Sequence, residues 1–197
     1  MKPWIRSFIG LGGNLDNPQQ RIQNACDQLG EIRLCRREKV SSLYISEPLR
    51  GDTNSSTNQP NYINAVVELY TQLSAEQLLD ELQQLEQQHG RTRSHSRWQS
   101  RTLDLDILLF GNQQTSSERL QIPHPELMNR NFVVLPLSEI TDNLRLPSGA
   151  SLQEAVNKPD FEPLKIVAQY QPTNQPVPQT QQQPQPPTSI ERRSHSA

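Results

Sequence analysis

Cysteine occurs only twice in the 197-residue chain, at Cys26 and Cys35. Two thiols are too few for a disulfide-stapled scaffold, and neither has zinc-ligand spacing to His89 or His95. No apolar run approaches the roughly eighteen residues that cross a bilayer. The start, Met1-Lys2-Pro3-Trp4-Ile5-Arg6-Ser7, lacks the apolar stretch of a secretory signal. The expectation is a cytoplasmic protein with both cysteines reduced. Charge of one sign is also missing: 19 Lys plus Arg stand against 21 Asp plus Glu, a net −2. Such a balance gives no general attraction to nucleic acid or to an anionic membrane. Gly-x-x-x-x-Gly-Lys-Ser/Thr is absent, which excludes a P-loop, and Ser and Cys show no pattern of a nucleophilic triad.

What is present is concentrated in Arg101-Thr102-Leu103-Asp104-Leu105-Asp106-Ile107-Leu108-Leu109-Phe110. Read as a strand, it puts Leu103, Leu105, Ile107 and Leu109 on one face and Asp104 and Asp106 on the other. Carboxylates two residues apart lie roughly 6.5 Å apart along a strand and can converge on one or two Mg²⁺ ions shared with substrate phosphates. For a bare Asp-x-Asp, a solvated polar face is the stronger explanation. The balance is tipped by the run just upstream, Arg91, Arg93, His95, Arg97 and Arg101 with Trp98 among them, since guanidiniums and metal-bearing acids together engage polyphosphate.

The rest of the chain supplies a frame. Residues 4 to about 11 read as a strand, followed by a Gly12-Gly13-Asn14-Leu15 turn. Asn17 reads as a helix cap with Pro18 in the first turn, and Ile22, Ala25, Cys26 and Leu29 recur at helical spacing until Gly30. Strands are predicted at Val40 to Ser46 and at Tyr62 to Tyr70, the latter with Ile63, Ala65, Val67 and Leu69 on one face and Tyr62 and Asn64 on the other. Ser74-x-x-Gln77 is a capping-box pattern opening an apolar stripe of Ala75, Leu78, Leu79, Leu82 and Leu85 that stops at His89-Gly90. The order is β-α-β-β-α-β, an α+β class with a ferredoxin-like core: an antiparallel sheet, helices on one face, the other face free for a ligand. Short C-terminal elements follow at Asn131 to Leu137 and Leu152 to Asn157. One domain is expected over 1–165, with 166–197 a disordered tail that is almost entirely Gln and Pro from about Gln171 to Pro187.

Taken together, Gly10-Leu11-Gly12-Gly13-Asn14-Leu15, Ser46-Glu47-Pro48, Gln59-Pro60-Asn61-Tyr62-Ile63-Asn64-Ala65, the Arg-rich block from Gly90 to Asp106, and Ile122-Pro123-His124-Pro125 resemble one family, 6-hydroxymethyl-7,8-dihydropterin pyrophosphokinase. The resemblance runs from about Trp4 to Leu146. It implies a folate-pathway enzyme that transfers the pyrophosphoryl group of ATP to the pterin's hydroxymethyl oxygen and releases AMP. It implies two Mg²⁺ ions on Asp104 and Asp106, with Arg91 and Arg101 also in the catalytic set. By the same matching, Tyr62 and Phe132 stack on the pterin, Asn64 hydrogen-bonds its amide edge, Trp98 helps close the pocket, and the backbone of Ser46 and Leu49 meets the ring. Gln83, Glu86, Arg91, Arg93, Arg101, Ile107, Arg119, His124 and Arg130 match positions around the nucleotide. Three departures stand out: Gly13 where Ser is common, Ser94 where some members carry Lys, and a longer loop from Arg50 to Asn58.

Two other readings use the same residues. A Mg²⁺-dependent nucleotidyltransferase would also pair an Asp-x-Asp strand with a basic phosphate site, but would release pyrophosphate. A ferredoxin-like RNA-binding module would stack bases on sheet aromatics, though acids beside the binding face repel phosphate and neither RNP pattern is present. The partners expected are small-molecule substrates, without nucleic acid or membrane, acting on a monomer. Arg91 and Arg101 sit closest to regular structure, so replacing either by Ala should cost more kcat/KM than Arg97→Ala. Equal losses in steady-state assays of all three would refute that ranking.

Overall fold

The computed structural model describes residues 2–48, 59–90 and 100–172. Its elements are β1 (Ile5–Gly13), α1 (Pro18–Glu31), β2 (Cys35–Val40), β3 (Leu43–Ser46), β4 (Tyr62–Thr71), α2 (Ala75–Gln88), β5 (Asp104–Phe110), β6 (Thr115–Ser116), β7 (Gln121–Ile122), α3 (Asn131–Ile140), α4 (Leu152–Val156) and β8 (Lys165–Ala168). β1 lies between β4 and β5, antiparallel to both, and β2 and β3 run in succession along the outer edge of β4. This is the expected split β-α-β arrangement. Among the described residues no helix is long and apolar enough to cross a membrane.

Several local expectations are corrected. The single strand predicted at Val40 to Ser46 is two strands broken at Ser41-Ser42. At the break, Ser41 N–H donates to Val66 O and the Ser41 hydroxyl accepts from Val66 N–H, both at 2.9 Å. A side chain thus replaces a ladder carbonyl, and the edge turns without losing its bonds to β4. Gly12 and Gly13 belong to β1 rather than to a turn. Asn17 precedes α1 in a left-handed conformation, φ 58°, with no side-chain capping bond, so Pro18 with its preset φ is left to open the helix. Gly30 lies inside α1, where a Cβ would press on Arg37 at 3.3 Å. The capping box at Ser74 and Gln77 forms as expected.

Ile22, Ala25, Cys26 and Leu29 of α1 and Leu78, Leu79, Leu82 and Leu85 of α2 bury one sheet face with Ile9, Leu11, Ala65, Val67, Leu105 and Ile107. The opposite face carries a second cluster, Phe8, Val66, Leu108 and Leu109 against Val133, Val134, Leu137 and Ile140 of α3. That face is therefore half covered rather than free. Leu109, expected with Leu105 and Ile107, belongs to this second cluster because β5 holds one extra residue: Ile9 pairs with Ile107 but Phe8 with Leu109. The bulge at Leu108 inverts the alternation for the end of the strand.

The described chain continues past the boundary expected at 165. β8 pairs with β3, and the Tyr170 hydroxyl donates to Asp27 while Arg37 stacks 4.9 Å over the Tyr170 ring. The tail from 173 onward lies outside the described residues.

α3 is fastened to the sheet edge by Glu139, whose carboxylate accepts from Ser42 N–H at 2.9 Å, the Ser42 hydroxyl at 2.6 Å and the Tyr44 hydroxyl at 2.9 Å. Removing it strands these donors at a helix seam. Glu139→Ala should lower the unfolding free energy by about 1–3 kcal/mol in urea titration, with Glu139→Gln recovering part of the loss.

Candidate functional site

On the half of the sheet that α3 leaves uncovered, register alone builds a cleft. Gly12 pairs with Asn64 on one side and Asp104 on the other, and Gly10 pairs likewise with Val66 and Asp106. Directly paired residues share a face. Between the acids of β5 and the amide of β4 the floor therefore has no side chains, across two strand spacings of roughly 9.5 Å. A Cβ at Gly10 would press on the Leu108 side chain at 3.2 Å, and one at Gly12 would sit 3.5 Å from Asn64 Oδ1. The cleft, about 940 Å³ with its open mouth counted, faces solvent.

One wall is acidic and basic at once. Arg101 donates to Asp104 in a short contact, with their side chains 34% and 20% exposed. The two acids stand two residues apart on one strand face, so a guanidinium beside them offsets their mutual repulsion. His124 approaches from the loop after β7, its Nε2 3.9 Å from Asp106 Oδ2. Its Nδ1 faces Glu126 N–H at 3.1 Å. An amide can only donate, so the neutral ring carries its proton on Nε2, directed at Asp106 and the cleft.

The other wall is aromatic and polar. Tyr62, Phe132 and Val133 line it, with Arg130 stacked 5.8 Å over the Phe132 ring. Asn64 is buried, and its Nδ2 donates to Ser46 Oγ at 2.9 Å and to Tyr44 O at 3.4 Å. Its amino end is thereby committed, and the carbonyl oxygen lies beside Gly12 on the floor. Asn64 can thus offer a ligand an acceptor, a narrower role than the two-sided one its residue type allows.

Of the residues expected at a site, Ser46, Tyr62, Asn64, Arg101, Asp104, Asp106, His124, Arg130 and Phe132 all line this cleft. Gln83, Glu86, Ile107 and Arg119 do not. Gln83 lies half-buried on α2. Glu86 is buried and accepts from Leu105 N–H at 2.7 Å, satisfying an amide of the β5 edge. The Ile107 side chain is buried among the helices, and Arg119 pairs with Asp80 at 2.7 Å and Glu76 at 3.6 Å on the outside of α2. Leu49, Arg91, Arg93, Arg97 and Trp98, together with Ser94 and the loop from Arg50 to Asn58, lie outside the described residues. The expected set omitted Gly10, Gly12, Gln59 and Val66. The glycines were readable in principle, because alternate glycines in a strand mark close approach of a ligand or another chain.

Fold and cleft together define a ferredoxin-like α+β protein with a ligand site on the exposed half of its sheet. The chain belongs to the 7,8-dihydro-6-hydroxymethylpterin-pyrophosphokinase family, whose profile matches residues 8–142. It is 42% identical over 154 residues to the 2-amino-4-hydroxy-6-hydroxymethyldihydropteridine pyrophosphokinase of Haemophilus influenzae, covering 78% of this chain and 92% of that one. The enzyme of the same name from Pseudomonas aeruginosa is 43% identical over 157 residues, 80% of this chain and 93% of the relative. A crystal structure of wild-type Plasmodium falciparum HPPK-DHPS superposes with a TM-score of 0.60 at 14% identity, covering 80% of this chain and 45% of the other. At that identity it supports the fold.

His124 is held below the usual histidine range, first by burial and then by the Arg130 guanidinium. An unfolded chain therefore takes up this proton at higher pH than the folded one. The neutral ring's contribution to stability is complete above about pH 6.5 and is lost as pH falls from there toward the folded pKa. An NMR titration of the ring should give a pKa under 6.5, and His124→Gln should flatten the acid-side fall in melting temperature. A midpoint at or above 6.5 would contradict the geometry.

Proposed function

We propose that this cleft is where the chain carries out its family's reaction, transfer of the pyrophosphoryl group of ATP to the hydroxymethyl oxygen of 6-hydroxymethyl-7,8-dihydropterin in folate biosynthesis. The hydroxyl oxygen attacks the β-phosphorus, the bond from that phosphorus to the α,β-bridging oxygen breaks, and AMP leaves as the hydroxyl gives up its proton. The observation that carries the reading is the placement of Asp104 and Asp106 across a bare glycine floor from Asn64, Tyr62 and Phe132. A phosphate chain and a flat heterocycle can then lie side by side. Membership of this family displaces the nucleotidyltransferase and RNA-binding readings.

Asp104 and Asp106 would hold Mg²⁺, two ions in this reading. Among the described residues no group of three metal-ligating side chains forms, and a pair of strand carboxylates suits an ion that completes its shell with substrate phosphates. Bound there, Mg²⁺ supplies charge neutralisation and acidifies the attacking hydroxyl. The chain's own residues do the rest by positioning, which is most of what phosphoryl-type transfer asks of a protein. Arg101 and Arg130 supply forked donors to phosphate oxygens, and His124 supplies an N–H on the same side. Arg91 and Arg93 are assigned to the phosphates by the family match, and Leu49 and Trp98 to the pterin. Tyr62 and Phe132 sandwich the pterin, and the Asn64 oxygen accepts from its N–H edge. The family match assigns Gln83, Glu86, Ile107 and Arg119 to the nucleotide; Glu86 meets the β5 edge from α2 at Leu105 N–H, so we assign that edge to the nucleoside end of ATP.

The free Cys26 and Cys35 support a reducing, cytoplasmic setting. Trp4, Leu34 and Ile166 are the large apolar side chains exposed among the described residues, which supports action as a monomer. Purified protein given ATP, Mg²⁺ and the pterin should form AMP, and Asp104→Ala and Asp106→Ala should each cut kcat by at least 10²-fold. Near-wild-type turnover in both would end the metal assignment. Asn64→Ala should weaken pterin affinity by roughly tenfold in titration calorimetry, and unchanged affinity would remove it from the pterin site.

A further inference from the structure

Asn14, at the end of β1, is 3% exposed, and both ends of its side-chain amide are in use. Its Oδ1 accepts from Arg101 N–H at 2.8 Å, and its own N–H donates to Arg101 O at 2.9 Å. Its Nδ2 donates to Pro60 O at 3.1 Å and to Ser100 Oγ at 3.4 Å. The amide orientation is fixed by chemistry, since a backbone N–H can only donate and a carbonyl can only accept. Just before it, Gly13 lets the two segments close: a Cβ there would stand 2.6 Å from Thr102 O. Asn14 therefore joins three chain segments that meet behind the cleft. One leads into Tyr62 and Asn64, and another carries Arg101 and leads into Asp104.

We infer that Asn14 is a positioning residue for the reaction, and that the two ends of its amide act on different substrates. The oxygen fixes the backbone of Arg101, and so the guanidinium beside Asp104 on the phosphate side. The amino group, whose shorter bond is to Pro60 O and whose longer one is to Ser100 Oγ, fixes Pro60, and so the start of β4 on the pterin side. A scaffold role would move both sides alike, whereas this geometry makes them separable. Asn14→Asp keeps an oxygen for Arg101 N–H and offers the Ser100 hydroxyl an acceptor, but turns that second oxygen on Pro60 O, so the tie it breaks is the pterin-side one. Asn14→Ala breaks both.

This inference rests on the pyrophosphokinase reading, and steady-state kinetics of the full chain with Mg²⁺, varying ATP and pterin in turn, separate the two. If wild-type protein forms no AMP, the activity reading fails. If it does, Asn14→Asp should raise the pterin KM roughly tenfold while the ATP KM stays within about twofold, and Asn14→Ala should raise both and lower kcat. Equal shifts in both KM values for Asn14→Asp, or no shift in either variant, would overturn the inference. Should the variants not fold, amide hydrogen exchange of the wild type decides it. Protection of Arg101 N–H comparable to that of β5 supports the tie, and exchange at the rate of exposed amides refutes it.

Discussion

The site depends on one strand having nothing to show on one face. β1 turns Leu11 and Ile9 into the helical core while Gly10 and Gly12 face the opposite way, and antiparallel pairing places those glycines directly between the acids of β5 and the residues of β4. Side chains at either position would fill the gap that a substrate needs. The floor costs conformational entropy, because glycine in a strand is destabilising by itself. It is held by neighbours that are strongly specified: β4 is buried on both faces over most of its length, and β5 is anchored by Leu103, Leu105 and Ile107.

Electrostatics follow from that geometry. Two carboxylates on one strand repel, and the chain offsets the repulsion with Arg101 on Asp104 and the Nε2 proton of His124 toward Asp106. Burial and Arg130 both favour the neutral His124 ring, so it turns an N–H toward Asp106 without adding a full charge. The opposite wall is set mainly by hydrogen bonds. Asn64 is aimed by bonds to Ser46 and Tyr44, and Glu139 secures Tyr44 together with the helix that carries Phe132.

Much of this was legible beforehand, and where it was not the cause is specific. α2 announced itself through its capping box and leucine stripe, both local signals. The Asp104 and Asp106 pair was legible because alternation puts both acids on the face opposite Leu103, Leu105 and Ile107. The break at Ser41-Ser42 was not legible, since a serine hydroxyl standing in for a ladder carbonyl leaves no mark on periodicity. Leu109 was placed on the wrong face because a bulge adds one residue to an alternation of two. Motif order groups Arg119 and Glu86 with the nucleotide but carries no sign of the partners they meet within the chain, Asp80 and Glu76 for one and Leu105 N–H for the other.

By itself the sequence determined what alternation, capping and residue chemistry can determine: the order of strands and helices, the core positions, and the kinds of group available for phosphate and heterocycle. Only tertiary structure decided which of those groups meet. Register between strands far apart in the chain set Gly12 between Asn64 and Asp104, and the packing of α3 over half of one face left the other half open. Those outcomes depend on contacts distant in sequence, whose energies no local window of residues contains.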